Sequence, residues 1–356
     1  MIAVDTSMKI RVEPTPSSRL PQVDFANLGF GSTFADHMFV ADCLDGQWHD
    51  LRIIPFGELS MNPGLSALHY GQTIFEGMKA YRSPSGETTL FRSADHLLRL
   101  NRSAERLCMQ PIPGEVFHEG LRQLVRLDAD WVPDNGSLYI RPIYFGNDDQ
   151  LGVHASKSYR LIIFSSPVTA YYSTNLLVKV ETNHVRATDG GIGYVKTAGN
   201  YARSLSASQQ ARAEGFNVVL WLDSVNRQFI EEYSTMNAFF VIDDVVVTPP
   251  TSGTILEGIT RDSMIRLLAD NGYKITQREI AIDEVMQSGQ TGRLTEAFGT
   301  GTAAVAAPVE RIVYQNRDIR LSTDHSKWPV LSFLRKRLDD IRTRQKDDPY
   351  GWVEVV

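Results

Sequence analysis

The apolar residues of this 356-residue chain fall into short runs of strand length, separated by turns carrying Gly or Asp and interrupted by single helical stripes. This texture limits the fold more than any other feature. Ser137–Phe145 and Tyr159–Val168 are rich in Tyr, Ile and Phe, as β-segments are. Glu87–Arg92 reads as a strand and Ser93 as the N-cap of the helix that follows, with Ala94, Leu97, Leu98, Ala104, Leu107 and Cys108 on its inner stripe. Glu115–Leu127 repeats the helical spacing, and Gly146–Lys157 is a polar loop. The texture changes after Pro167. Strands are expected at Leu176–Glu181, Asn217–Leu222, Met236–Ile242 and Val245–Thr248. Helices are expected from Tyr201 to Ala213, from Thr260 to Ala269 (Met264, Leu267 and Leu268 inward) and from Trp328 to Arg344 (Leu331, Leu334, Leu338 and Ile341 inward). Single helices among strands, without regular strand–helix–strand alternation, predict a mixed α/β (α+β) fold. At ~150 residues per domain the length suggests two domains. The expected division is an N-terminal arm at 1–35, a small α/β domain at 36–167, a linker at 168–175 and a larger domain at 176–356.

Thirty-six basic against 42 acidic residues give a net charge of −6, which argues against a nucleic-acid binder working through a basic face. Cys43 and Cys108, the two cysteines, cannot build a disulfide framework. No apolar run approaches the ~20 residues of a membrane-spanning helix. Met1–Asp24 lacks the basic-then-apolar order of a signal peptide. These features point to a soluble cytoplasmic protein. The scattered histidines, with no His-Glu-x-x-His, offer no metal site. A nucleophile elbow and a Walker-type loop are both absent. Gly299, Gly301 and Ala304 imitate a dinucleotide fingerprint, but Pro308 leaves little room for the helix it requires. Gly299-Thr300-Gly301-Thr302 remains a reasonable anion cradle, because small residues let backbone amides converge.

Only nine of the 36 basic residues are lysines, so amine chemistry has few places to occur. Lys9, Lys157, Lys274, Lys327, Lys336 and Lys346 read as surface amines, while Lys79 and Lys179 lie in strands. Lys196 stands in Gly190–Gly199, a stretch otherwise without charge. An amine there is suited to condensing with a carbonyl. A solvated lysine on a flexible glycine loop fits the local sequence equally well.

The segment Lys196-Thr197-Ala198-Gly199-Asn200-Tyr201-Ala202-Arg203-Ser204-Leu205 resembles the cofactor-lysine segment of branched-chain amino-acid aminotransferases, which are pyridoxal-phosphate enzymes of fold type IV. Further motifs follow in the family's order. Leu68–Ala80 is similar to its early strand, Tyr139-Ile140-Arg141-Pro142 to its substrate-side strand, and Glu232 with Ser234–Asn237 to its acidic segment. Thr248-Pro249-Pro250, Leu256–Arg261 and Gly299–Ala304 complete the set, which spans about residues 35 to 350. The resemblance implies two domains of mostly antiparallel sheets with helices packed against them, the larger one binding pyridoxal 5'-phosphate. It also implies transamination between L-leucine, L-isoleucine or L-valine and 2-oxoglutarate, in a homodimer.

By the same resemblance, Lys196 is the catalytic residue, holding the cofactor covalently and moving a proton. Glu232 pairs with the pyridine nitrogen and Tyr201 with the 3'-oxygen. Arg99, the amides of Ile259 and Thr260, and Thr302 take the phosphate. Tyr139 and Arg141, with the amides of Thr302 and Ala303, meet the substrate carboxylate, and Tyr70 and Phe75 form an aromatic wall. Ala304 and Ala307 stand where mammalian relatives have a Cys-x-x-Cys pair, so that thiol switch is not expected. D-amino-acid transaminases, aminodeoxychorismate lyases and (R)-selective amine transaminases share the lysine and the acid. The Tyr139–Pro142 and Tyr70/Phe75 segments favour the branched-chain members. A cofactor carrier without turnover is a rival of another class.

Overall fold

A computed structural model describes residues 9–169 and 175–356. They divide into two compact units, each built on its own sheet. The first unit holds the described residues up to 169, together with Lys196–Ala198 and Arg342–Val356; the second holds those from 175 to Val195 and Gly199–Ile341. Residues 170–174, inside the expected linker, lie outside the description, and the strand before them runs on through Val168.

The first unit contains β1 (Arg11–Val12), β2 (His37–Leu44), β3 (Gln47–Pro55), α1 (Ser66–Tyr70), β4 (Thr73–Phe75), β5 (Met78–Arg82) and β6 (Thr88–Phe91). It continues with α2 (Ser93–Arg106), α3 (Gly114–Leu127), β7 (Ser137–Gly146) and β8 (Ser158–Val168). The strand order is β1-β3-β2-β8-β7-β5-β6, closed at the edge by the C-terminal strand Val353–Val355, with β4 pairing on β7. All of these pairs are antiparallel except β1 with β3. Phe39, Ile53, Leu138, Ile140 and Leu161 from the sheet meet Leu100, Phe117, Leu121 and Leu124 from α2 and α3 in one apolar core. The expected arm contributes β1 to the sheet edge.

Three local readings change. Ser93 is the first helical residue of α2, not its cap. Arg92 occupies the cap in left-handed conformation (φ 55°), and the Ser93 hydroxyl donates to Glu354 instead. Leu98 is 63% exposed, and Ala94 and Cys108 of the expected stripe are exposed as well, because the buried face of α2 carries His96, Leu97, Arg99, Leu100, Ser103 and Ala104. Leu68–Tyr70, read as strand, closes helix α1, and Gly71 terminates it with φ 70°.

The second unit comprises β9 (Leu176–Val180), α4 (Ala198–Arg203), α5 (Leu205–Ala213), β10 (Val218–Leu222), β11 (Ile230–Tyr233), β12 (Met236–Ile242) and β13 (Val245–Thr248). It continues with α6 (Ile259–Asp270), β14 (Ile275–Gln277), α7 (Ile282–Gln290), β15 (Leu294–Gly301), β16 (Val305–Tyr314), β17 (Arg317–Arg320) and α8 (Pro329–Arg342). The order is β11-β10-β9-β16-β15-β12-β13-β14; β11 also pairs with β12, so six strands close into a ring. Six of the nine strand pairs are antiparallel. Met264, Leu267 and Leu268 of α6, and Leu331, Leu334, Leu338 and Ile341 of α8, are buried as their spacing predicts. The helix expected from Tyr201 is two helices, broken at Ser204, whose hydroxyl donates to the Tyr201 carbonyl. Gly299–Gly301 ends β15 in an antiparallel hairpin with β16, which leaves no dinucleotide-type helix behind it.

Candidate functional site

In the first unit the alternation of β7 sets Tyr139, Arg141 and Ile143 on one face, and Phe75 of β4 is registered opposite Ile143. The Arg141 guanidinium donates to the Tyr139 hydroxyl at 3.2 Å and lies 4.7 Å from the Phe75 ring centre. Tyr139 packs this closely because residue 77 is glycine: a Cβ there would fall 1.9 Å from the Tyr139 hydroxyl. The chain at Lys196 runs beside β4. Thr197 bridges to Ile74, the Phe75 amide donates to the Lys196 carbonyl at 3.1 Å, and the Thr197 hydroxyl donates to the Thr73 carbonyl at 2.8 Å. The Lys196 amide donates to Ser103 Oγ on α2 at 3.0 Å. Lys196 is therefore fixed at the backbone, unlike a lysine on a flexible loop. Its Nζ lies 4.9 Å from the Phe75 ring centre. Phe75, Tyr139, Arg141 and Lys196 thus form one group.

Arg99 is buried on α2, and its Nε and Nη2 donate side-on to the two oxygens of Glu76 at 2.7 and 2.9 Å. Glu76 is fully buried and also accepts from His96 Nδ1 at 2.7 Å and from the Gly77 amide at 3.1 Å. Burial by itself would raise the Glu76 carboxyl, but the adjacent Arg99 and His96 overrule it and hold the group well below the usual carboxylate range. Burial lowers His96, so it serves as a neutral imidazole donating to a carboxylate. Glu76 lies inside the early motif yet had no role in the sequence reading. His96 and Ser103 stand three before and four after Arg99, so helical spacing was the signal for both. Tyr70 stands apart from this group: it is 44% exposed, and its hydroxyl accepts from the Gly152 amide in the polar loop.

In the second unit the register aligns Glu232 of β11 with Asn237 of β12, and Asn237 with Thr300 of β15. Glu232 is buried; its Oε1 accepts from the Leu256 amide at 2.5 Å, and its Oε2 lies 3.5 Å from Arg186 Nε. Tyr201 of α4 and Glu232 line one small cleft with Arg186, Asn200, Ser204 and Leu256. Asn237 Nδ2 donates to the Leu256 carbonyl at 2.9 Å, fixing the segment that leads into α6. Gly258 precedes α6 in extended conformation, and a Cβ there would fall 2.0 Å from Asn237 Oδ1. Glycine is thus what lets the N-terminal end of α6, with Ile259 and Thr260, sit against the sheet. Thr302 and Ala303 form the turn between β15 and β16, two and three residues beyond Thr300, whose buried hydroxyl has no hydrogen-bond partner. Glu231, the residue before Glu232, is buried to the same degree. Burial and its acidic neighbours Glu232 and Asp223 push its carboxyl up.

The donor set fits a phosphorylated pyridine. A buried carboxylate suits a ring nitrogen, the positive N-terminal end of the 12-residue helix α6 suits an anion, and the orphaned Thr300 hydroxyl shows polar capacity that the protein does not satisfy itself.

Residues 73–312 match the amino-transferase class IV family. "Branched-chain-amino-acid aminotransferase 2" of Bacillus subtilis (strain 168) is 46% identical over 360 residues, covering 99% of this chain and 98% of that protein. The branched-chain-amino-acid aminotransferase of Mycobacterium tuberculosis is 41% identical over 336 residues, covering 91% of each chain. Among solved structures, the Escherichia coli branched-chain amino acid aminotransferase aligns with a TM-score of 0.72 at 26% identity, over 90% of this chain and 98% of that one. The branched-chain aminotransferase of the thermophilic archaeon Thermoproteus uzoniensis, solved with norvaline, aligns at 0.72 and 25% identity, over 89% and 99%. On these matches the chain belongs to the class IV aminotransferase family.

Proposed function

We propose that the chain is a pyridoxal-phosphate-dependent branched-chain-amino-acid transaminase. It moves the amino group between L-leucine, L-isoleucine or L-valine and 2-oxoglutarate, giving the branched-chain 2-oxo acids and L-glutamate. The observation that carries this reading is the group in the first unit: a backbone-fixed lysine whose Nζ lies beside Phe75, with the Arg141–Tyr139 pair on the same ring. An amine, a carboxylate-binding cation and an aromatic surface are what an apolar amino acid needs around its reacting carbon.

Pyridoxal phosphate, when bound, supplies an electron sink for the carbanion formed at the substrate Cα. Lys196 Nζ holds it and carries the proton to and from that carbon. Glu232 keeps a carboxylate against the ring nitrogen, and Tyr201 bonds the 3'-oxygen. Arg99, the Ile259 and Thr260 amides and the Thr302 hydroxyl take the phosphate. Arg141 and Tyr139, with the Thr302 and Ala303 amides, orient the substrate carboxylate. Phe75 excludes water beside the aliphatic side chain, and Tyr70, which stands apart from it, is left out of that wall.

A panel of L- and D-amino donors with 2-oxoglutarate tests the reading. Turnover with L-leucine, L-isoleucine and L-valine is expected, whereas turnover confined to D-donors would transfer the chain to another branch of the family. Lys196→Ala should still bind the cofactor noncovalently while losing turnover by orders of magnitude; near-normal rates would sink the assignment. We further propose a homodimer and a cytoplasmic location. Light scattering showing a fully active monomer would contradict the first. For the second, no helix among the described residues is long and apolar enough to cross a membrane.

A further inference from the structure

We infer that Arg186 is a positioning residue that registers three parts of the second unit's cofactor site by holding Glu232 and two backbone carbonyls with one guanidinium. The inference rests on the reading that Glu232 meets the ring nitrogen.

Arg186 is buried, and each of its contacts leads to a different segment. Its Nε lies 3.5 Å from Glu232 Oε2. Its Nη2 donates to the Gly193 carbonyl at 2.9 Å, and Gly193 stands three residues before Lys196. The same Nη2 donates to the Thr254 carbonyl, and Thr254 stands two residues before Leu256, whose amide donates to Glu232 Oε1. That second segment continues through Gly258 into the N-terminus of α6. One planar cation thus touches the acid of the ring nitrogen, the loop running into the lysine and the turn running into the phosphate-facing helix end. Lysine cannot reproduce this, because Arg186 faces the acid with Nε and the two carbonyls with Nη2, and an ammonium offers a single nitrogen.

The charges around the pair show why a cation is needed there. Glu231 and Glu232 are consecutive, and both are buried. Glu231, like Glu232, feels the charge of Arg186, and Asp223 adds a third acid in range of Glu231. Arg261, buried on α6, is another cation that Glu232 influences, but its guanidinium is committed to the Pro249 carbonyl and the Gln277 side chain. Two buried carboxylates in succession are costly without a desolvated counter-charge, and Arg186 supplies it.

The experiment compares holoenzyme forms of wild type, Arg186→Gln, Arg186→Lys, Glu232→Gln and the Arg186→Gln/Glu232→Gln double variant. Two readouts are taken: the equilibrium affinity for pyridoxal phosphate, and the pH midpoint at which the visible absorbance of the bound cofactor titrates. Arg186→Gln is expected to bind the cofactor at least about tenfold more weakly and to displace the midpoint. Arg186→Lys should return the midpoint toward wild type while leaving affinity weak, since charge is restored and the two carbonyl contacts are not. The double variant should displace the midpoint no further than Glu232→Gln alone, because the Arg186 charge acts through Glu232, while its affinity should fall below that of Glu232→Gln because the two carbonyl contacts are lost as well. If Arg186→Gln does not fold, the Arg186→Lys split between midpoint and affinity decides the matter. An unmoved midpoint and an affinity within twofold of wild type in Arg186→Gln, with Glu232→Gln impaired, would overturn the proposal. An unimpaired Glu232→Gln would instead overturn the assignment of Glu232 on which it rests.

Discussion

Each unit buries an acid against an arginine, and the two pairs are built differently. In the first unit Glu76 is enclosed by donors: a two-point fork from Arg99, an imidazole donor from His96 and the amide of the next residue. In the second unit Glu232 accepts from the Leu256 amide and makes a longer contact to Arg186, and it stands next to Glu231, a buried acid with one oxygen that has no partner. A closed cluster like the first fixes the guanidinium of Arg99 in place. An acid on the wall of a cleft, held at a longer distance from its cation, is placed to meet a ligand. The same residue types are therefore enclosed in one place and left on a cleft wall in the other, as the proposed binding role of Glu232 requires, and the tightness of the surrounding hydrogen bonds separates the two.

That distinction can be broken, beginning where the effect is largest. Glu76→Gln should destabilise the protein by about 3–5 kcal/mol, because Arg99 would keep a buried charge without its counter-charge. Denaturant unfolding measures it, and a cost no greater than that of Glu232→Gln would erase the contrast. Glu232→Gln is expected to cost only about 1–2 kcal/mol in stability, with its main effect on cofactor affinity, read by titration of the cofactor-free chain. Ser103→Ala removes the acceptor of the Lys196 amide and should cost about 1 kcal/mol.

The smallest effects, in pH dependence, carry opposite signs. Glu76 is depressed in the folded state, so its contribution is complete above the ordinary carboxyl value of 4.5 and is lost as pH falls below it. His96 is depressed as well, so acid begins to erode stability once pH drops below the ordinary imidazole value of 6.5. Glu231 is raised, so its contribution is complete below 4.5 and is lost as pH rises through its folded value. Glu231→Gln should therefore stabilise the protein slightly near neutral pH and leave the acid limb unchanged. A stability-against-pH series on that variant checks both halves, and a neutral-pH loss of stability would show that the ionised Glu231 is favourably held.

Much of the fold was legible in the sequence. Strand and helix periods located most elements, because a buried face imposes period 2 or 3.6 on whatever side chains it receives. The failures share a cause. Ser93 looked like a cap, but Glu354, 261 residues away in sequence, took its hydroxyl. Leu98 looked like core, yet the α2 face that turned inward carries His96, Arg99 and Ser103 to meet Glu76 and the Lys196 segment. Tyr70 was read on a strand beside Phe75, and the chain instead closes a short helix there.

The family and the order of its motifs were already carried by the sequence, since motif order survives any packing of the elements; local composition left Lys196 open, and the likeness to the family singled it out. Only the tertiary structure decided which acid is enclosed by donors and which lines a cleft. It also decided that the Lys196 backbone lies along β4, and that Arg186 touches three segments at once. Such facts depend on which distant atoms complete a hydrogen bond, and strand register and close glycine contacts settle that only once the chain has folded.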